Sequence, residues 1–265
     1  SLDDGTPQFR GRVLLVEDNP VNQKGAVRLL ERMGCSVRIA DNGAEAVKAY
    51  SEGPFDLVLM DLQMPVMDGL TATRRIRELE STDRQTPIIA LTANAMTGQL
   101  ERCMEAGMNA FLTKPIELAR LRETLERFGL GVDSAKKDPA GDSTAQVSVP
   151  VDLARLNELT DGDAEFAHEL ASTFVESGRQ VFAEIDAAMA ASDRTALSRA
   201  AHKLKGASAN IHATALSALA LAVETQAAQL DQPRLKELIE SLKREFAKAS
   251  EFLTEHAPAP AKKAV

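Results

Sequence analysis

From Phe9 to Gly129, short runs of apolar, often β-branched residues alternate with longer stretches whose apolar positions recur every three or four residues. The first pattern suits a strand covered on both faces, the second a helix covered on one. Arg12–Glu17 reads as a strand. Asn19-Pro20 then opens a helix, with Asn as the N-cap and Pro in the first turn. Its apolar-face positions Val21, Gly25, Val27, Leu29, Leu30 and Met33 lead to a stop at Gly34. The alternation predicts strands at Ser36–Ala40, Phe55–Met60, Pro87–Leu91 and Ala110–Leu112. Helices follow at Gly43–Glu52, Gly69–Leu79, Met96–Ala106 and Glu117–Phe128. Strands alternating with helices through short connections imply a doubly wound, five-stranded parallel sheet with helices on both faces, over residues 9–129.

Residues 130–150 break the pattern with a polar, Ser-, Gly- and Pro-containing stretch, read as a flexible linker. Residues 151–256 contain no strand-like run. Their Ala- and Leu-rich periods predict helices at Asp152–Leu159, Asp163–Ser177, Val181–Ala191, Arg194–Ile211, Ala213–Leu230 and Pro233–Glu255. The last four are long enough for an antiparallel bundle. Residues 257–265 read as a disordered tail.

Composition narrows the function. A net charge of −8 and a sequence pI of about 5.2 argue against binding a phosphate backbone. With no Trp and one Tyr, aromatic base-stacking surfaces are unsupported as well. No apolar run approaches the roughly 18 residues of a membrane span, so no direct membrane contact is expected of this stretch. No secretory segment is read at the N-terminus, and Cys35 and Cys103 are expected as reduced, buried thiols.

In open α/β sheets, chemistry collects at the carboxyl ends of the strands. Those ends place Glu17 and Asp18 after the first strand, Asp61 after the third, Thr92 after the fourth and Lys114 after the fifth. Three convergent carboxylates repel one another, and a hard divalent cation relieves that; Mg2+ suits a few carboxylates, waters and a phosphoryl oxygen. With charge neutralised, Asp61 can attack as a nucleophile. Lys114 and Thr92 supply a positive charge and a hydroxyl donor for phosphoryl oxygens. A lone aspartate at a strand end is ordinarily a cap; five such residues, matched to the strand ends, point to chemistry.

This constellation resembles the response-regulator receiver domain, through Val16-Glu17-Asp18-Asn19, Met60-Asp61-Leu62-Gln63-Met64-Pro65, Leu91-Thr92-Ala93 and Thr113-Lys114-Pro115. The resemblance implies Asp61 as phosphoacceptor and Asp18 as a direct magnesium ligand. Glu17 would complete the pocket, often through water, and the Gln63 backbone carbonyl would add a ligand. Thr92 and Phe111 match that family's switch pair. Phe111 could turn inward at little polar cost, or serve as a core ring. Lys114–Pro115 resembles the family's cis peptide, which would aim the lysine into the pocket.

The second candidate is His202, on a predicted helix with Lys205 at i+3 and Gly206 at i+4 on one face and Leu204, Ser208 and Ile211 toward a core. A glycine in a helix costs about 1 kcal/mol against alanine. Beside an imidazole, a bare backbone leaves room for a phosphoryl group and a partner's loops. Lys205 and Lys203 can offset phosphoryl charge, and the histidine is expected to be exposed. His168 and His256 read as surface residues. Ala201-His202-Lys203-Leu204-Lys205-Gly206-Ala207-Ser208-Ala209-Asn210-Ile211 resembles the acceptor helix of the histidine-phosphotransfer (HPt) domain. That family usually has glycine where this chain has His212, which bears on the helix end and adds a second candidate acceptor.

A receiver followed by an HPt domain resembles the C-terminal part of a hybrid sensor histidine kinase of bacterial two-component systems. Nothing in the chain resembles an ATP-binding kinase core, and its start at Ser1 is expected of a fragment of a longer, cytoplasmic or membrane-anchored parent. The resemblance implies a phosphorelay from an upstream histidine kinase to Asp61, and from His202 to a downstream response regulator. Two alternatives stay open: a phosphate drain, or a phosphorylation-switched docking module without onward transfer.

Overall fold

The computed structural model describes residues 9–80, 85–93, 97–130, 150–160 and 162–256. The chain divides into two compact units, one carrying a β-sheet and the other helical. The expected linker lies almost wholly outside the described residues, and so does the tail from 257.

The first unit runs β1 (Arg12–Val16), α1 (Pro20–Arg32), β2 (Ser36–Ala40), α2 (Gly43–Ser51), β3 (Leu57–Asp61), α3 (Gly69–Leu79), β4 (Ile88–Thr92), α4 (Thr97–Glu105), β5 (Ala110–Thr113) and α5 (Leu118–Arg127). All strand pairs are parallel, in the order β2-β1-β3-β4-β5. The chain therefore reverses direction across the sheet between β1 and β3, and a crevice opens there at the strands' carboxyl ends. β1, β3 and β4 are buried almost throughout. Leu14, Val58, Met60, Ile88 and Ala90 pack against Ala46, Ala49, Ala72 and Ile76 of α2 and α3.

Local signals set the helix ends. The Asn19 side chain accepts from the Val21 and Asn22 N–H groups (2.9 and 3.4 Å) at the start of α1. Gly34, at φ +97°, closes its other end, where the Cys35 N–H reaches the Leu30 carbonyl (3.0 Å). Asp68 caps α3 by accepting from the Thr71 N–H at 2.8 Å.

The second unit contains α6 (Leu153–Thr160), α7 (Ala164–Ala190), α8 (Arg194–Asn210), α9 (Thr214–Gln226) and α10 (Gln232–His256). α8 packs on α7 and α9, and α10 packs on α7 and α9. Phe174, Leu170, Ile185, Leu204, Leu216, Leu235 and Leu242 are buried. One expectation needs correction: α7 is a single helix where the sequence suggested two, broken near Gly178. Gly178 does not interrupt it. A Cβ there would stand 2.2 Å from the Phe246 ring of α10, so the glycine is a packing notch.

Candidate functional site

The aspartate cluster forms at the β1/β3 crevice. Asp61 ends β3, and its register partner on β4 is Leu91, so Thr92 lies one residue further on the neighbouring strand. Ligand oxygens of Glu17, Asp18 and Asp61 lie within 4.8 Å of one another. Lys114 follows β5 after its N–H donates to the Thr92 carbonyl (2.8 Å), and the Lys114–Pro115 bond is cis. Its ammonium donates to Asp61 Oδ2 at 2.7 Å and to Glu17 Oε2 at 2.5 Å. Asp61 Oδ1 accepts from the Gln63 N–H at 3.2 Å. Each Asp61 oxygen thus has a fixed donor, which sets the plane of the carboxylate.

Three carboxylates converge in this pocket, and the Lys114 ammonium pairs with two of them. Burial pushes the Glu17 carboxyl up to about 7; Lys114 opposes the shift, and Asp61 and Asp18 add to it. Burial alone would lower the Lys114 ammonium, but Asp61 and then Glu17 raise it above its ordinary value. A cluster of hard oxygen donors fits a divalent cation. Gly69 presses α3 against this site, since a Cβ there would sit 2.0 Å from the Asp61 carbonyl oxygen.

The histidine cluster lies on α8 and α9. His202 Nδ1 is 2.7 Å from Glu224 Oε1, and Lys205 Nζ is 2.5 Å from Glu224 Oε2 and 3.4 Å from Nδ1. Burial by itself would raise the Glu224 carboxyl, but hydrogen bonds from His202 and Lys205 hold it below its ordinary value. The imidazole is less exposed than expected: His202 shows 16 % of its side chain to solvent, Lys205 13 % and Glu224 17 %. Leu204, Ser208 and Ile211 face the core as the helical spacing implied.

Glu224 escaped the sequence reading. The signal was present, because it is the single charged residue between Ala213 and Leu230. Lys203 pairs with Glu184 at 3.3 Å, away from Glu224. Phe111 on β5 is 43 % exposed and so is not a core ring. His168 and His256 are exposed. His212 occupies a left-handed turn at φ +56° that ends α8; its N–H reaches the Ala209 carbonyl (3.0 Å) and the next N–H reaches Ser208 (2.8 Å).

Residues 13–126 match the response regulator receiver domain, and residues 169–249 match the Hpt domain. The chain is a receiver domain followed by an Hpt domain, the two kinds of domain that exchange phosphoryl groups in phosphorelay signalling. It is similar to the signal transduction histidine-protein kinase BarA of Shigella flexneri, 33% identical over 249 residues, or 91% of this chain and 27% of that protein. It is also similar to the sensor histidine kinase GacS of Pseudomonas protegens, 37% identical over 202 residues, covering 74% of this chain and 22% of that one. The chain thus spans about a quarter of the length of these relatives. Among solved structures, it resembles the receiver domain of the sensor histidine kinase PA1611 from Pseudomonas aeruginosa PAO1, which has a magnesium ion coordinated in its active-site cleft. That likeness has 45% identity and a TM-score of 0.42, over 44% of this chain and 96% of that one. Among the described residues, no helix is long and apolar enough to cross a membrane.

Proposed function

We propose that the chain relays a phosphoryl group through Asp61 and His202, and the observation that supports this is the coexistence of the Asp61 carboxylate cluster and the His202 cluster in one chain. Asp61 is held by Lys114 and the Gln63 N–H beside two further carboxylates. His202 has Nδ1 engaged by Glu224, and among the described residues no hydrogen bond engages Nε2. Asp61 attacks the phosphoryl group of an upstream kinase's phosphohistidine: an O–P bond forms, the N–P bond breaks, and its electron pair returns to the departing imidazole. Lys114 and the Thr92 hydroxyl donate to the phosphoryl oxygens. His202 takes the group through nitrogen and yields it to the aspartate of a downstream response regulator, with Lys205 beside the ring.

Glu17, Asp18 and Asp61, with the Gln63 carbonyl, would hold magnesium, which when bound neutralises phosphoryl charge. Positioning and charge neutralisation supply most of the catalysis. The setting that fits is cytoplasmic, on a parent kinase that is itself open to membrane anchoring.

The test supplies a phosphorylated upstream kinase domain and follows label on the chain and on a receiver. Parent protein should carry acid-labile, base-stable phosphohistidine and pass it on. Asp61→Asn should take up no label, and His202→Gln should hold aspartyl phosphate without onward transfer. Equal labelling of Asp61→Asn and parent would refute the assignment of the first acceptor.

A further inference from the structure

The peptide that joins Glu17 to Asp18 carries two of the three converging carboxylates, and a side chain outside the pocket anchors it. The β1–β2 ladder ends at Val16, whose register partner is Ala40. Just beyond it, the Glu17 N–H donates to the Ala40 carbonyl (3.1 Å). The Glu17 carbonyl accepts from Gln23 Nε2 on α1 at 2.6 Å, and the same nitrogen donates to Asp41 Oδ1 at 2.7 Å. A primary amide nitrogen has two hydrogens, and both are committed here. Turning the amide over would set its oxygen against a carbonyl and a carboxylate, so the two acceptors fix its orientation.

Asp41 is itself tied down. Its N–H donates to Glu45 Oε2 (3.2 Å), and Glu45 exchanges hydrogen bonds with the Asn42 side chain, at 3.0 Å in each direction, where α2 begins. Gln23 thus links the connection after β1 to the connection after β2. Its two bonds go to a backbone carbonyl and to Asp41, not to a carboxylate of the pocket.

We propose that Gln23 is a positioning residue for cation binding at the Asp61 pocket. Its amide sets the plane of the Glu17–Asp18 peptide, and that plane aims the two side chains that meet Asp61. This rests on the reading that Glu17, Asp18 and Asp61 hold magnesium. A planar peptide turns only about the single bonds on either side of it. Losing the carbonyl anchor therefore swings the Asp18 side chain relative to Asp61, which Lys114 and the Gln63 N–H hold still. Magnesium demands near-octahedral geometry at about 2.0–2.1 Å, whereas calcium accepts variable oxygen contacts at about 2.3–2.6 Å. A misaimed Asp18 thus weakens magnesium more than calcium. A residue that merely supported the fold would weaken both alike.

The experiment titrates the full chain with magnesium and with calcium by calorimetry, and follows Asp61 labelling by acetyl phosphate against magnesium concentration. Gln23→Met keeps the length and helix propensity of the side chain and removes both donors. It should raise the magnesium Kd roughly tenfold, the scale for groups that orient a metal ligand, and the calcium Kd by less than about threefold. The magnesium concentration for half-maximal labelling should rise in step with the magnesium Kd. Asp41→Ala frees one amide hydrogen and should shift the ratio of the two affinities the same way, but less. Asp41→Asn leaves an acceptor in place and should keep the parent ratio. Urea midpoints show whether each variant is folded, and if Gln23→Met is not, the ratio in Asp41→Ala decides. A parent ratio in folded Gln23→Met, whether neither affinity moves or both fall together, overturns the proposal. Magnesium bound as tightly by Asp18→Asn as by the parent would instead overturn the reading of the pocket beneath it.

Discussion

Gly69→Ala should damage the aspartate pocket without touching any side chain in it. A Cβ at position 69 would stand 2.0 Å from the Asp61 carbonyl oxygen, 3.0 Å from its carbonyl carbon and 3.0 Å from Met60 Cγ. Reaching the 3.4 Å of ordinary contact with the oxygen means opening the gap by about 1.4 Å. The obstacle is backbone, so no rotamer change relieves it. Retreat of α3 is opposed by the Gly69 N–H to Leu62 carbonyl bond (3.2 Å) and by buried Ala72 and Ile76. Rotation of the Asp61 peptide is the other response, and it carries the carboxylate away from Lys114 Nζ, now 2.7 Å distant.

Overpacking of this kind costs about 1–3 kcal/mol, and displacing a reacting group by about 1 Å can cost on the order of 100-fold in rate. We expect a destabilisation near 2 kcal/mol and labelling of Asp61 by acetyl phosphate slowed about 100-fold. Urea denaturation measures the first, and intact mass against time the second. Gly98→Ala is the control, since Gly98 is exposed with nothing within 4 Å of its Cβ. It should label at the parent rate. Labelling of Gly69→Ala within about threefold of parent, with an unmoved urea midpoint, would refute the idea that the α3 contact sets Asp61.

Three further outcomes follow from particular contacts. Gly178→Ala gains about 1 kcal/mol of helix propensity. Its Cβ would nonetheless meet Phe246 ring carbons at 2.2 and 2.4 Å, so thermal unfolding should show a net loss of about 1–2 kcal/mol. Adding Phe246→Leu should recover part of it. His212→Gly removes a side chain from a φ of +56° and should stabilise the α8–α9 corner by about 1 kcal/mol in the same assay. Burial raises Glu17 from its usual 4.5 to about 7, so in that window the folded protein binds this proton more tightly than the unfolded chain. Metal-free stability should therefore fall as pH rises from about 4.5 to about 7, a slope missing from Glu17→Gln in denaturant titrations.

What was legible in the sequence was what is encoded locally. The βα alternation, the Asn19 cap and the Gly34 stop each depend on residues a few positions apart, and strand-end geometry then gathers Glu17, Asp18, Asp61 and Lys114. What escaped depends on residues far apart in the chain. Gly178 read as a break because its reason is Phe246, on another helix. The pairing of His202 with Glu224 was missed for the same cause, since Glu224 lies on another helix. Phe111 was open to two readings, a switch ring or a core ring, and its exposure removes the second.

The two proposed acceptors are built from the same side-chain chemistries in different proportion. At Asp61 the Lys114 ammonium serves two of three convergent carboxylates. At His202 the Glu224 carboxylate serves an ammonium and an imidazole. Under the proposed relay, a phosphoryl group on Asp61 would sit among carboxylates and need positive charge from Lys114 and a cation, whereas one on His202 would sit beside Glu224 and Lys205. Removing either of the latter two should therefore weigh more on labelling of His202 than on labelling of Asp61.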